Sequence, residues 1–279
     1  MDIVFQGGNQ IASPALSENH LVIASTGSGE VFRINLEEKV AMSTPLRGSP
    51  SGVAYDSQGS MVVADLSSKA IMTQEDKEMS ILVCDFEGSS FKGPNTICFD
   101  LEGTMYFTDS GPFGETNLFN ATGSLFSIDK DGQHLQPMIL NALAYPSGIT
   151  YSSHDGCLYI CETMTNRLLR GTQFPQGVWH FSVFHQFSGS MGPMAVAIHP
   201  SNGNIYVGMF DFMRPHDRMA EEAEEEGGSE GVIGIISPQG DLTDLLSVPG
   251  TQITGLCFGD DAKLYITESS SNTVYSCQC

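Results

Sequence analysis

Pro146–Glu162 reads PSGITYSSHDGCLYICE. A proline opens the stretch, and Gly148-Ile149-Thr150-Tyr151 then alternates as a half-buried strand does. Ser152 to Gly156 make a turn, and Leu158-Tyr159-Ile160-Cys161 return as the antiparallel partner. Working outward, the same unit recurs five more times, as SPALSENHLVIAS from Ser13, PSGVAYDSQGSMVVAD from Pro50, PNTICFDLEGTMYFTD from Pro94, PMAVAIHPSNGNIYVG from Pro193 and ITGLCFGDDAKLYITE from Ile253. The opening positions are Ile11, Pro50, Pro94, Pro146, Pro193 and Ile253, spaced 39, 44, 52, 47 and 60 residues apart. A repeat of this length built from short strands predicts an all-β, six-bladed β-propeller of four-stranded antiparallel blades. Residues 1–279 are read as one such domain, with an acidic loop insertion at about 214–230. The residue after each opening position is expected beside the central channel.

A third strand follows several of these pairs: Gly29 to Asn35, Gly123 to Asp129, Asn166 to Thr172, Gly231 to Ser237 and Asn272 to Cys277. Polar hairpins such as Asp129-Lys130-Asp131-Gly132 then lead to an outer strand. The opening segment Asp2 to Phe5 is expected to complete the last blade and close the ring, removing the exposed edges of an open sheet.

Net charge is −21 at pH 7, with 12 Lys and Arg against 33 Asp and Glu. That balance argues against nucleic acid, whose phosphates need cations, and most of it reads as a solubilising surface. Part is concentrated in AEEAEEEGGSE, Ala220 to Glu230, a self-repelling run expected to form a loop without a catalytic role. Just before it, Phe212, Met213, Arg214, Arg218 and Met219 are residue types enriched at protein interfaces, and they are the candidate partner contacts.

No apolar run approaches the roughly 18 residues needed to span a bilayer, so no membrane insertion is expected. MDIVFQGG at the start lacks the features of a secretion signal. Seven cysteines, several within strand motifs, point to a reducing, cytoplasmic compartment, where the chain would belong to a large structural or cytoskeletal assembly. The seven histidines show no paired metal spacing, and most fall at turns or outer strands. Cys277 and Cys279 share one face of a terminal strand as a candidate soft-metal or redox pair, with an unremarkable free pair as the plainer reading. There is no Gly-x-Ser-x-Gly elbow, phosphate-binding loop or dinucleotide fingerprint.

Gly93 to Thr116, GPNTICFDLEGTMYFTDSGPFGET, and Tyr145 to Arg170, YPSGITYSSHDGCLYICETMTNRLLR, carry a specific resemblance. They are similar to the third and fourth blades of the gluconolactonase and regucalcin (senescence marker protein) family of six-bladed propellers, and the likeness covers nearly the whole chain. The resemblance implies a divalent cation, calcium or zinc, at the channel mouth. A first-blade Glu, a fourth-blade Asn and a fifth-blade Asp would hold it, with a third-blade Asn beside it. Such an ion polarises a lactone carbonyl or lowers the pKa of water. Here Ala12 stands for the Glu, Ser147 for the Asn and Met194 for the Asp, and Asn95 alone remains. A methyl group has no donor, a hydroxyl is a shorter and weaker one, and thioether sulfur does not suit a hard cation.

From those replacements the sequence reading expects no cofactor and a non-catalytic propeller serving as a protein-interaction or structural subunit. An alternative keeps a calcium- or zinc-dependent lactonase or esterase with a rearranged site. Its ligands would be Asn95, Ser147 and Gln10, and Asp109 or Glu162 would supply charge. Set against that, both carboxylates also read as caps of the turns that follow their strands. A second alternative is a module that binds a small metabolite over apolar Met194 and Ala12.

Overall fold

The computed structural model describes residues 1–46, 48–75, 78–175, 177–212 and 230–279. Six four-stranded antiparallel sheets form the predicted blades. Blade 1 runs Ile11–Ser17, His20–Ser25, Glu30–Asn35 and Ala41–Pro45, and blade 2 runs Pro50–Tyr55, Met61–Asp65, Ala70–Glu75 and Glu78–Val83. Blade 3 comprises Pro94–Phe99, Met105–Asp109, Gly123–Ile128 and Leu135–Leu143; blade 4 comprises Pro146–Ser152, Cys157–Glu162, Arg167–Gln173 and Trp179–Gln186. In blade 5 the strands are Met191–Ile198, Ile205–Asp211, Glu230–Ile236 and Leu242–Pro249. Blade 6 joins Ile253–Phe258, Lys263–Glu268 and Thr273–Gln278 to Asp2–Gln6, so the two distant segments share one sheet and close the ring.

Five of the six first strands begin at the opening residue of their repeat, and the fifth begins two residues earlier, at Met191. Each first strand packs against those of both neighbouring blades, forming the wall of the channel. Between blades lie apolar layers built from the inward faces of alternating strands. One unites Ala64, Ile71, Phe91, Phe107 and Phe126 across blades 2 and 3, and another unites Tyr159, Cys161, Val207 and Ile236 across blades 4 and 5. Trp179 crosses a seam, meeting Tyr106 edge-on at 5.7 Å. Cys157 and Cys161 are buried in the layers as small apolar groups, and none of the seven cysteines is in a disulfide. His199 departs from the expected pattern: it is buried at the end of a first strand, where Nδ1 accepts the backbone N–H of Ser201.

Candidate functional site

Every first strand is bulged near its start. Register slips between Ala12 and Ala15, Pro50 and Gly52, Pro94 and Ile97, Pro146 and Ile149, Pro193 and Ala195, and Ile253 and Gly255. A bulge leaves a residue out of the ladder and re-aims its side chain. The residues so placed are Ser13, Ser51, Asn95, Ser147, Met194 and Thr254, while Ala12 stays paired with Ala24 in blade 1.

Four of these six tie the blades together, Ser13 by accepting the Val53 N–H at 3.0 Å and three as donors. Thr254 Oγ1 donates to the Ile11 carbonyl at 2.6 Å, Ser51 Oγ to the Pro94 carbonyl at 2.8 Å, and Ser147 Oγ to the Met194 carbonyl at 2.9 Å. The alternate seams use Thr26 Oγ1, 2.7 Å from the Pro50 carbonyl, and Thr108 Oγ1, 2.7 Å from the Ser147 carbonyl. The seam between blades 5 and 6 is joined through backbone, Asp211 N–H donating to the Thr251 carbonyl at 3.0 Å. A girdle of hydrogen bonds thus circles the mouth.

Asp109 and Glu162 end second strands, and both are buried. Asp109 accepts the backbone N–H groups of Lys92 at 3.0 Å and Gly93 at 2.8 Å, the two residues before its own blade's first strand. Glu162 accepts the Ala144 N–H at 2.9 Å and the Thr165 hydroxyl at 2.6 Å. Glu268 does the same in blade 6, accepting Gln252 N–H at 3.0 Å and Ser271 N–H at 2.8 Å. Ser25 is the neutral counterpart in blade 1, its hydroxyl taking the Asn9 N–H at 2.8 Å. In these four blades the side chain latches the entry segment to the second strand. Burial raises the Asp109 pKa, opposed by the two backbone N–H groups and the Lys92 charge.

Asn95 keeps part of its surface open at the mouth. Its Nδ2 donates to Ser110 Oγ at 2.9 Å, and Ser110 donates onward to the Gly111 carbonyl at 3.0 Å. Tyr145, held in the left-handed region at φ 59, brings its hydroxyl into hydrogen-bond reach of both Ser110 and Asn95. Burial pushes the Tyr145 pKa up to about 12, so the phenol keeps its proton at neutral pH. Phe113 stands edge-on to Tyr145 at 5.5 Å and stacks on Phe212 at 5.2 Å. The Glu115 carboxylate lies against Gly111 in the same loop and is exposed. Phe212, one of the candidate partner contacts, thus packs within its own chain; Met213, Arg214, Arg218 and Met219 lie outside the described residues.

Ser110, Tyr145 and Phe113 carried no signal of their own in the sequence. Only the turn-rich SGPFG that follows Asp109 marked the loop that places two of them. Inside the girdle the channel holds a cavity of about 490 Å³, walled by groups such as Ser13, Thr96, Ile149, Met194 and Thr254 and extending to Tyr151 and His154 at the far ends of the first strands.

The donor set does not fit a dication. Ser147 is buried, its proton goes to the Met194 carbonyl, and its oxygen meets Thr163 Oγ1 at 2.7 Å. The Asn95 carbonyl oxygen accepts from Thr96 Oγ1 at 3.3 Å, while Asp109 and Glu162 are committed to latches. Gln10 is exposed, just before the blade 1 first strand. Among the described residues, no group of three or more His, Cys, Asp or Glu is placed to hold a metal ion. Neutral, already bonded oxygens do not replace the hydration of a hard cation.

A family model described as the SMP-30/Gluconolactonase/LRE-like region matches residues 17–270. The chain belongs to this family. Among its relatives, gluconolactonase from Zymomonas mobilis is 25% identical over 238 residues, covering 80% of this chain and 62% of that protein. Lactonase drp35 from Staphylococcus epidermidis is 24% identical over 205 residues, covering 69% of this chain and 61% of that protein. The chain therefore spans less than two thirds of the length of these relatives. The solved gluconolactonase of Xanthomonas campestris superposes with a TM-score of 0.77 at 18% identity, covering 98% of this chain and 87% of that one, a likeness of fold.

These findings correct the expectation of a non-catalytic, scaffold-type subunit, since family relatives are named for lactone chemistry. That expectation equated loss of the cation's carboxylates with loss of catalysis, a step the family's membership does not support. Among the described residues no helix is long and apolar enough to cross a membrane.

Proposed function

We propose that this propeller hydrolyses lactones or related cyclic esters at the Asn95 mouth. The observation that carries the reading is the family match over residues 17–270, joined to an Asn95 side chain still presented at the bulge of blade 3. An amide has two N–H groups: Ser110 takes one, and the other, which faces the Tyr145 hydroxyl, turns to the substrate carbonyl, holding it and stabilising the oxyanion that forms on attack. The protonated Tyr145 fixes this arrangement and acts as a hydrogen-bonding group, not as a base. Glu115, the carboxylate of the Ser110 loop outside the latches, takes the proton of the attacking water. Water adds to the carbonyl carbon, the ring oxygen departs and is protonated, and a hydroxy acid results. No step passes through a metal ion, because the four inherited positions do not suit one. The burial of Cys157 and Cys161 as small apolar groups between blades 4 and 5 is what supports a reducing, cytoplasmic setting.

The test is a pH-indicator assay over a panel of sugar, alkyl and aryl lactones. Hydrolysis above the uncatalysed rate, falling about 10²-fold in Asn95→Ala with the fold retained, is the expected result. Absence of turnover across the panel, or equal rates for the variant, overturns the reading.

A further inference from the structure

Cys277 and Cys279 lie two residues apart at the end of the strand that receives Asp2–Gln6. Successive odd positions of a strand share a face, and the two sulfurs are 3.8 Å apart. Cys277 is half-buried against the layer that contains Tyr206, Leu264 and Tyr275, whereas Cys279 is exposed. Tyr206 reaches over from blade 5 to hydrogen-bond the Cys279 sulfur. The segment is held at this register by Gln278 Nε2 donating to the Asp261 carbonyl at 2.7 Å and by Cys279 N–H donating to the Ala262 carbonyl at 3.3 Å. Nothing in lactone hydrolysis at the opposite side of the blade uses these thiols.

We infer that Cys277 and Cys279 form a dithiol site that exchanges with low-molecular-weight disulfides of the glutathione type, closing reversibly to an intrachain disulfide. Geometry assigns the roles. Cys279 is exposed and attacks one sulfur of the small disulfide, expelling one thiolate and forming a mixed disulfide. Cys277, already in contact, then attacks the Cys279 sulfur and expels the second thiolate. Two protein thiols are oxidised to one disulfide, the small disulfide is reduced to two thiols, and the two protons released by the cysteines pass to those products. Donors on two sides support the order: the Cys277 thiol and the Tyr206 hydroxyl stabilise a Cys279 thiolate and lower its pKa to about 7, while the same contact raises that of Cys277. Bringing the sulfurs from contact to bonding distance requires the long Cys279 to Ala262 backbone bond to yield, and it draws Cys279 away from Tyr206.

The experiment uses the full chain with the exposed Cys84 changed to serine, equilibrated with reduced and oxidised glutathione, quenched by alkylation and mapped by peptide mass. In the Cys277, Cys279 protein, the expected product is a dithiothreitol-reversible disulfide within the terminal peptide. In Cys277→Ser a glutathione adduct accumulates on Cys279, whereas in Cys279→Ser Cys277 gains little. At pH 7 iodoacetamide modifies Cys279 about five- to tenfold faster than an ordinary thiol, since a larger thiolate fraction outweighs its lower nucleophilicity. Tyr206→Phe reduces that advantage. Persistence of the adduct without ring closure, or equal reactivity of both cysteines in the single variants, overturns the assignment.

Discussion

Ser147 shows how one side chain changes meaning between sequence and structure. Read against the family it is a weakened ligand; in the fold it is a fastener between blades 4 and 5, with its hydroxyl also against Thr163. Ser147→Ala leaves the Met194 carbonyl and the Thr163 hydroxyl short of a partner and is expected to cost about 1–3 kcal/mol in urea denaturation. Asp109 offers a test by pH. Its carboxyl is raised in the folded state by burial, so the native protein binds that proton more tightly than the unfolded chain does. Its contribution to stability is therefore fully present below the unfolded pKa and declines as pH rises through the higher folded value. Subtracting the Asp109→Asn profile of Tm against pH from that of the unaltered protein isolates this slope; a rise with pH across the window contradicts it. The sequence carried Asp109, Glu162 and Asn95 into view and offered capping as one use of the two carboxylates, which Glu162 shows toward Thr165. It did not carry the entry segments they hold, because a capping carboxylate and a catalytic one are the same residue type at the same strand end. What separates them is the direction of two backbone N–H groups, which no spacing records.

The repeat unit was legible because proline, alternation and turn residues each act locally, and the first strands begin where that punctuation falls. Blade 2 was harder to read beyond its first pair: Ala70–Glu75 and Glu78–Val83 were not anticipated, since AIMTQE and EMSILV lack glycine or proline punctuation between them. The bulges were also hidden, being settled by pairing across strands and not by the residues of one strand. They make adjacent first strands approach so closely that a Cβ on Gly148 would sit 2.7 Å from the Met194 carbonyl oxygen. Gly148→Ala must push blades 4 and 5 apart, with an expected loss of about 1–3 kcal/mol and a lower Tm by calorimetry. An unchanged Tm would mean that the seam is softer than its spacing.

Across the whole molecule, net charge and site chemistry are separate matters. A diffuse charge of −21 attracts cations everywhere, yet the mouth offers them neutral, committed oxygens. Calcium titrated by calorimetry into chelator-treated protein at high salt is expected to give no saturable stoichiometric heat, and chelator is expected to leave lactone turnover unchanged. One tight site abolished by Asn95→Ala would reverse that expectation.

The pairing of Asp2–Gln6 with Thr273–Gln278 also has a consequence in time. During synthesis the first of these segments emerges ahead of every other strand of the ring and its partner after all of them. Five blades have all their strands before the sixth can be assembled, and the early strand waits unpaired throughout. Closure then joins strands with five whole blades between them in sequence, a contact whose loop entropy makes it slow compared with hairpin formation. Phe5, packed on Phe32 at 5.2 Å, gives the waiting segment a blade 1 surface on which to rest until its partner leaves the ribosome.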